Sequence, residues 1–198
     1  MGKNQWVSCD SWPPPGVEWQ RYYFHSRGKA NTFSGDGWLS LDKPLSEHPD
    51  KFDFQPLDPV PTMGGAIIGP LPVPGIVVGP IDQHLVEKRQ DVLCYTTAEF
   101  AKDTEVSGPL QVHLLASTSA VDTDFSAKIC QVYADGRSFN LGEGILRASG
   151  RKFSAKAELI NPGEVYEYVI TLGNTSQLFR KGTRIRLQIS SSNLCSYS

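Results

Sequence analysis

The residues best placed by type to do chemistry lie in one polar corner, Ser117-Thr118-Ser119-Ala120-Val121-Asp122-Thr123-Asp124. Three hydroxyls precede Asp122, and two carboxylates stand two residues apart. On a strand that spacing puts Asp122 and Asp124 on one face; in a turn it lets them bond nearby backbone N–H groups. The corner therefore reads as an acidic site or as a self-bonded turn between strands. A calcium loop would need further oxygen ligands and a downstream Gly and Glu, which this stretch lacks, so no metal is expected.

Other chemistry is thinly supported. A serine hydrolase of the α/β type needs its nucleophile on a sharp turn, commonly Gly-x-Ser-x-Gly, and that motif is absent. Ser190-Ser191-Ser192 supplies hydroxyls with no adjoining base. Of four histidines, His113 alternates with apolar neighbours on a strand, His48 sits in a Ser-Glu-His-Pro-Asp loop, and His25 and His84 stand alone. The four cysteines, Cys9, Cys94, Cys130 and Cys195, lack Cys-x-x-Cys spacing and read as reduced thiols, which points to the cytoplasm. Asp82-Gln83 reads as a cap for backbone groups. No catalytic residue and no cofactor is expected from these residues.

The elements that must position them are strands. The 198 residues are 39% hydrophobic, with 18 Gly, 14 Pro and a net charge of -2. Such a chain suits short strands and tight turns, and its balanced charge argues against nucleic acid or a membrane surface as partner. No run approaches a membrane span, and the N-terminus has no apolar signal region. Strands are predicted over 19–24, 38–41, 91–96, 106–116, 125–132, 139–141, 145–147, 164–172 and 184–189. Asp135-Gly136 marks a hairpin. The last strand alternates, with Arg184, Arg186 and Gln188 expected on a wet face. Between the early and late strands runs a Gly- and Pro-rich loop, 63–83, made greasy by Ile67, Ile68, Ile76, Val77 and Val78. A long apolar loop is expected to be functional or to dock. The whole reads as an all-β, two-sheet sandwich of Greek-key or jelly-roll type.

Several segments carry a family resemblance: Trp12-Pro13-Pro14-Pro15, Asp53-Phe54-Gln55-Pro56-Leu57-Asp58-Pro59-Val60-Pro61-Thr62-Met63-Gly64-Gly65, Gly79-Pro80-Ile81-Asp82-Gln83, Ser117 through Lys128, Tyr133-Ala134-Asp135-Gly136-Arg137-Ser138, and Phe179 to Arg186. In order along the chain, they resemble the C-terminal domain of the cocaine-esterase-like (CocE/NonD) acyl esterases. X-prolyl dipeptidyl aminopeptidases and α-amino-acid ester hydrolases share that domain. The resemblance implies a galactose-binding-like jelly roll packed on an α/β-hydrolase catalytic domain, in cis or separately encoded. That domain would hold the triad, so this chain is expected to be inactive alone. Residues 1–10 look like the tail of the hydrolase domain or a linker, and 11–198 like the jelly roll.

The resemblance also makes the 64–82 loop one wall of the substrate cleft, with Ile67, Ile68 and Gly69 at the acyl-pocket positions. It recasts Asp122 and Asp124 as a structural corner. The end departs from the family pattern: Thr183 stands where His is common, and Leu194, Cys195 and Ser198 replace Phe, Pro and Asp. A missing terminal strand would leave an unpaired edge and favour a homo-oligomer. The alternative reading is a stand-alone carbohydrate-binding jelly-roll module without catalysis, its sugars stacked on Trp6, Trp12, Trp19 or Trp38.

Overall fold

A computed structural model describes residues 5–6, 8–66, 77–152 and 157–193. Eight strands form two sheets: β1 (Tyr23–His25), β2 (Trp38–Ser40), β3 (Leu93–Thr97), β4 (Thr104–Ala116), β5 (Asp124–Val132), β6 (Ser138–Arg147), β7 (Tyr166–Phe179) and β8 (Arg184–Ser190). A single helical turn, α1 (His84–Glu87), precedes β3. One sheet has the order β1-β2-β3-β8-β5-β6, and the other is the ribbon β4-β7.

The antiparallel pairs are nested. β5 pairs β6, β4 pairs β7, and β3 pairs β8. The chain thus runs out and back as a double ribbon whose tip is the Asp135-Gly136 hairpin, with Gly136 at φ 87°. Successive pairs fall in alternate sheets, and β5 joins β8 to close the larger one. This rolled ribbon is a jelly roll, as the strand pattern predicts.

Period-two alternation builds the core. Phe125, Ala127 and Ile129 of β5, Ile185, Leu187 and Ile189 of β8, and Leu93 and Tyr95 of β3 face the ribbon's Val112, Tyr168, Ile170 and Leu172. Gly142 and Gly144 let β7 cross close over β6, where a Cβ would meet the carbonyls of Leu172 and Thr171.

Several local expectations need correction. The first strand is only Tyr23–His25, since Trp19 to Tyr22 make no ladder. Residues 139–141 and 145–147 belong to one strand, β6, bulged where Ile129 opposes Gly142 and Cys130 opposes Asn140, leaving Leu141 unmatched. β7 runs on to Phe179 through a bulge at Leu172, between Thr171 opposite Gln111 and Gly173 opposite Leu110. The expected wet face of β8 is wet only at its start, where Arg184 is partly exposed and pairs with Glu99; Arg186 and Gln188 are 7% and 4% exposed. Alternation reports two faces but not what covers the second one. Here the cover is the segment before β3, whose Val60, Val86 and Val92 form a second small core with Cys94.

Candidate functional site at the root of the greasy loop

The outer face of the large sheet carries a buried polar layer beneath α1 and the two ends of the greasy loop. The bulge at Leu141 assembles it. In a regular strand Asn140 and Glu143 would point to opposite faces; the extra residue turns both outward, opposite Cys130 and Lys128.

Gln83, fully buried, sits at the centre. Its Nε2 donates to the Met63 carbonyl at 2.7 Å, the Ile81 carbonyl at 3.0 Å and Asn140 Oδ1 at 3.2 Å. Its Oε1 accepts from Lys128 Nζ at 3.2 Å, and that ammonium pairs with Glu143 Oε2, also at 3.2 Å. Asn140 Oδ1 also accepts the Ile81 N–H at 2.7 Å. Asp82 Oδ1 takes the N–H groups of His84 and Ser138 at 3.1 and 3.2 Å, the capping role its sequence position suggests.

These contacts hold the loop's two ends side by side. Gly65 N–H donates to the Gly79 carbonyl at 2.9 Å, and Gly79 N–H returns the bond at 2.8 Å. Both residues have positive φ, 97° and 90°, a conformation glycine adopts without steric cost. A Cβ on Gly65 would lie 2.7 Å from the Glu143 carboxylate. Ile67, Ile68 and Gly69 fall outside the described residues. Upstream, Val60 N–H donates to Ser192 Oγ and Thr62 Oγ1 to Asn193 Oδ1, each at 2.8 Å. Ser192 is thereby an acceptor for backbone, not a poised nucleophile.

The same layer buries Glu87 and Arg186, joined at 2.5 Å. It also contains two thiols. Burial, reinforced by the Glu87 carboxylate, pushes Cys94 up to about 12 and raises Cys130 as well. Thiols so held are protonated and inert.

One arrangement resembles a catalytic relay. His25 Nδ1 lies 2.6 Å from Glu47 Oε1, and Ser40 Oγ lies 3.0 Å from His25 Nε2. The Asp42 carbonyl, however, sits 2.8 Å from that Nε2. Both ring nitrogens face acceptor oxygens, so neither offers a lone pair for the serine proton. The ring stacks on Trp38 at 5.1 Å and fastens the 42–47 turn to β1. His113 is exposed and bonds Glu167 at 2.8 Å, and His84 packs on Phe33. Among the described residues, no group of three or more His, Cys, Asp and Glu is positioned to hold a metal.

The two aspartates of the polar corner part company. Asp122 accepts Ser149 N–H at 2.9 Å and Ser149 Oγ–H at 2.8 Å, tying the corner to the 3-10 turn Ala148–Gly150. Asp124 instead receives Arg147 Nε and Nη2 at 2.9 and 2.8 Å across the β5–β6 ladder.

The large sheet thus carries a braced loop root on its outer face. The family described as the X-Pro dipeptidyl-peptidase C-terminal non-catalytic domain matches residues 1–195. The chain belongs to that family. The domain is 39% identical, over 197 residues, to the cocaine esterase of Rhodococcus sp. (strain MB1 Bresler), covering all of this chain and 34% of that protein. The fold is shared with an aminopeptidase from a marine sediment Thaumarchaeota archaeon, with a TM-score of 0.75 and 28% identity, covering 98% of this chain and 32% of that one. It is shared too with an α-amino acid ester hydrolase, with a TM-score of 0.78 and 23% identity, covering 98% of this chain and 33% of that one. The chain spans about a third of the length of the curated relatives it matches. Among the described residues no helix is long and apolar enough to cross a membrane.

The loop-root cluster was not anticipated from sequence. Its signal is Leu141-Gly142-Glu143-Gly144: glycines inside a strand mark a bulge, and a bulge changes which side chains share a face.

Proposed function

We propose that the domain serves an α/β-hydrolase-type serine hydrolase, of the acyl esterase or X-Pro dipeptidyl-peptidase class, as one wall of its substrate cleft. In this reading the catalytic partner precedes it in the same polypeptide or is encoded separately, and residues 1–10 are the junction. Ile67, Ile68 and Gly69 are the wall-forming positions, and Asp122 and Asp124 brace the framework. The observation that carries the proposal is the paired root of the loop. Gly65 and Gly79 bond reciprocally over a buried Gln83–Asn140–Lys128 layer, so a rigid sheet governs where an apolar loop leaves it. Binding groups are best held this way, on loops anchored to rigid elements. A carbohydrate-binding role draws no support from the family match, which describes a non-catalytic domain of a peptidase.

The test grafts this chain in place of the matching third of the Rhodococcus esterase. The chain alone is expected to leave p-nitrophenyl esters intact, and the graft to hydrolyse them. Gln83→Ala, which loosens the root, should raise KM about tenfold with a smaller change in kcat, the mark of lost positioning. Turnover by the isolated chain that a single substitution within it abolishes would sink the proposal.

A further inference from the structure

A polar residue stands where the alternation of β5 calls for an apolar one. Phe125, Ala127 and Ile129 face the ribbon, and Gln131 is next in that inward row. Facing it across the sheets is Gln177 of β7. The two side chains are 2% and 3% exposed and bond amide to amide, Gln177 Nε2 donating to Gln131 Oε1 at 2.6 Å. Two leucines here would extend the apolar core to the end of the sandwich. Instead a cavity of about 330 Å³ opens at this end, with the glutamines as its buried floor.

The floor has unused bonding capacity. Gln131 Nε2 and Gln177 Oε1 have no hydrogen-bond partner among the described residues, and neither atom is sealed from solvent. Exchanging the O and N of both side chains leaves the same set, one free donor beside one free acceptor. The walls are aromatic and apolar. Tyr133 and Phe139 flank the Asp135-Gly136 turn and meet edge to face, their centroids 5.7 Å apart. The guanidinium of Arg137 lies 6.0 and 5.8 Å from those centroids, and Leu141 completes the lining. Arg137 is the one charged residue of the cavity, and Asp135 Oδ2 answers it, 2.8 Å from its Nε.

We propose that this cavity binds a small, uncharged ligand with a primary carboxamide at one end and a flat apolar body at the other. The carboxamide matches the floor: its N–H donates to Gln177 Oε1, and its oxygen accepts from Gln131 Nε2. The body lies against Tyr133, Phe139 and Leu141 beneath the Arg137 guanidinium. An apolar cavity with a few convergent polar groups is the usual form of a small-molecule site, and this one stands at the lower end of the common size range, about 300–1000 Å³. A carboxylate brings a charge without a free counter-ion and offers no donor to Gln177. An ester likewise has no N–H. Either leaves a buried amide end unpaired, so the floor selects carboxamide over both.

Titration of the isotope-labelled chain with benzamide, followed by amide NMR, tests the inference. Benzamide should move the side-chain amide resonances of Gln131 and Gln177 saturably, with a Kd of about 1 mM, ordinary for a ligand of about nine heavy atoms. Methyl benzoate and benzoate should bind at least about tenfold more weakly. An equal response to all three overturns the carboxamide site. So does the absence of any shift at about ten times that Kd, or shifts confined to residues outside the cavity; the glutamines would then hold only water. The double variant Gln131→Met, Gln177→Met keeps the side-chain lengths and removes both amides. Read on the backbone amides of Tyr133 and Phe139, it should lose benzamide affinity at least about tenfold, and unchanged affinity overturns the assignment. If that variant does not fold, the preference of the unaltered chain for benzamide over methyl benzoate decides alone.

Discussion

The carboxylate of Glu87, wholly buried on α1, meets the guanidinium of Arg186 on β8 at 2.5 Å, and it also accepts Ser138 Oγ–H at 2.6 Å and Gln188 Nε2–H at 2.9 Å. One carboxylate therefore ties α1 to both β6 and β8. Removing either charge leaves the other buried without compensation. Glu87→Met and Arg186→Met should each destabilise by about 3–5 kcal/mol, while the two changes together cost less than their sum. Urea melts of the two single variants and the double variant measure this directly.

The polar corner makes a contrasting pair. Asp122→Ala removes the acceptor for Ser149 and should cost about 1–3 kcal/mol. Asp124→Ala breaks a pair whose arginine side chain is 66% exposed, so its cost should stay below about 1 kcal/mol. Equal shifts in Tm would refute the distinction.

Glu47 gives the fold a pH dependence. Burial alone would raise its carboxyl, but hydrogen bonds from His25 and from the Ser26 N–H outweigh that and lower it below 4.5. A depressed folded value means the stabilisation is present above about 4.5 and is lost as the pH falls through the folded value. Wild type and Glu47→Gln should therefore differ in Tm at pH 6 and converge as the pH drops well below 4. A gap that persists undiminished in acid would exclude this linkage.

Gly144→Ala should destabilise by about 1–3 kcal/mol, because its Cβ would press on the Thr171 carbonyl and on Ile170 across the sheets. Gly150→Ala, with open space around it, serves as the control. A thermal melt that ranks them the other way would contradict the close crossing of β7 over β6.

Sequence exposed the inner half of this molecule well. Phe125, Ala127 and Ile129, or Ile185, Leu187 and Ile189, alternate because one face meets the ribbon, and alternation is visible in any strand. The outer half was hidden. Arg186 and Gln188 look like solvent residues by type; only the placement of Val60, Val86 and Gln83 above them, through contacts distant in sequence, makes them buried. The loop root was hidden for a related reason. Asn140 and Glu143 share a face only because Leu141 is an extra residue, and a count by twos assigns them to opposite sides. The aspartate corner was legible as a turn, but not that Asp122 reaches Ser149 while Asp124 reaches Arg147.

Closing the loop at Gly65 and Gly79 sets its two ends side by side at one point on the sheet. The root is fastened by backbone and by side chains of the sheet, so the pairing of Gly65 with Gly79 does not depend on the length of chain between them. Each doubling of such a loop costs only about 0.6 kcal/mol in closure entropy, less than the loss of one buried hydrogen-bond partner at its root. On the proposed reading of the loop as a cleft wall, specificity would diversify on this framework by exchange of a single short insert, while the strands beneath it stay as they are.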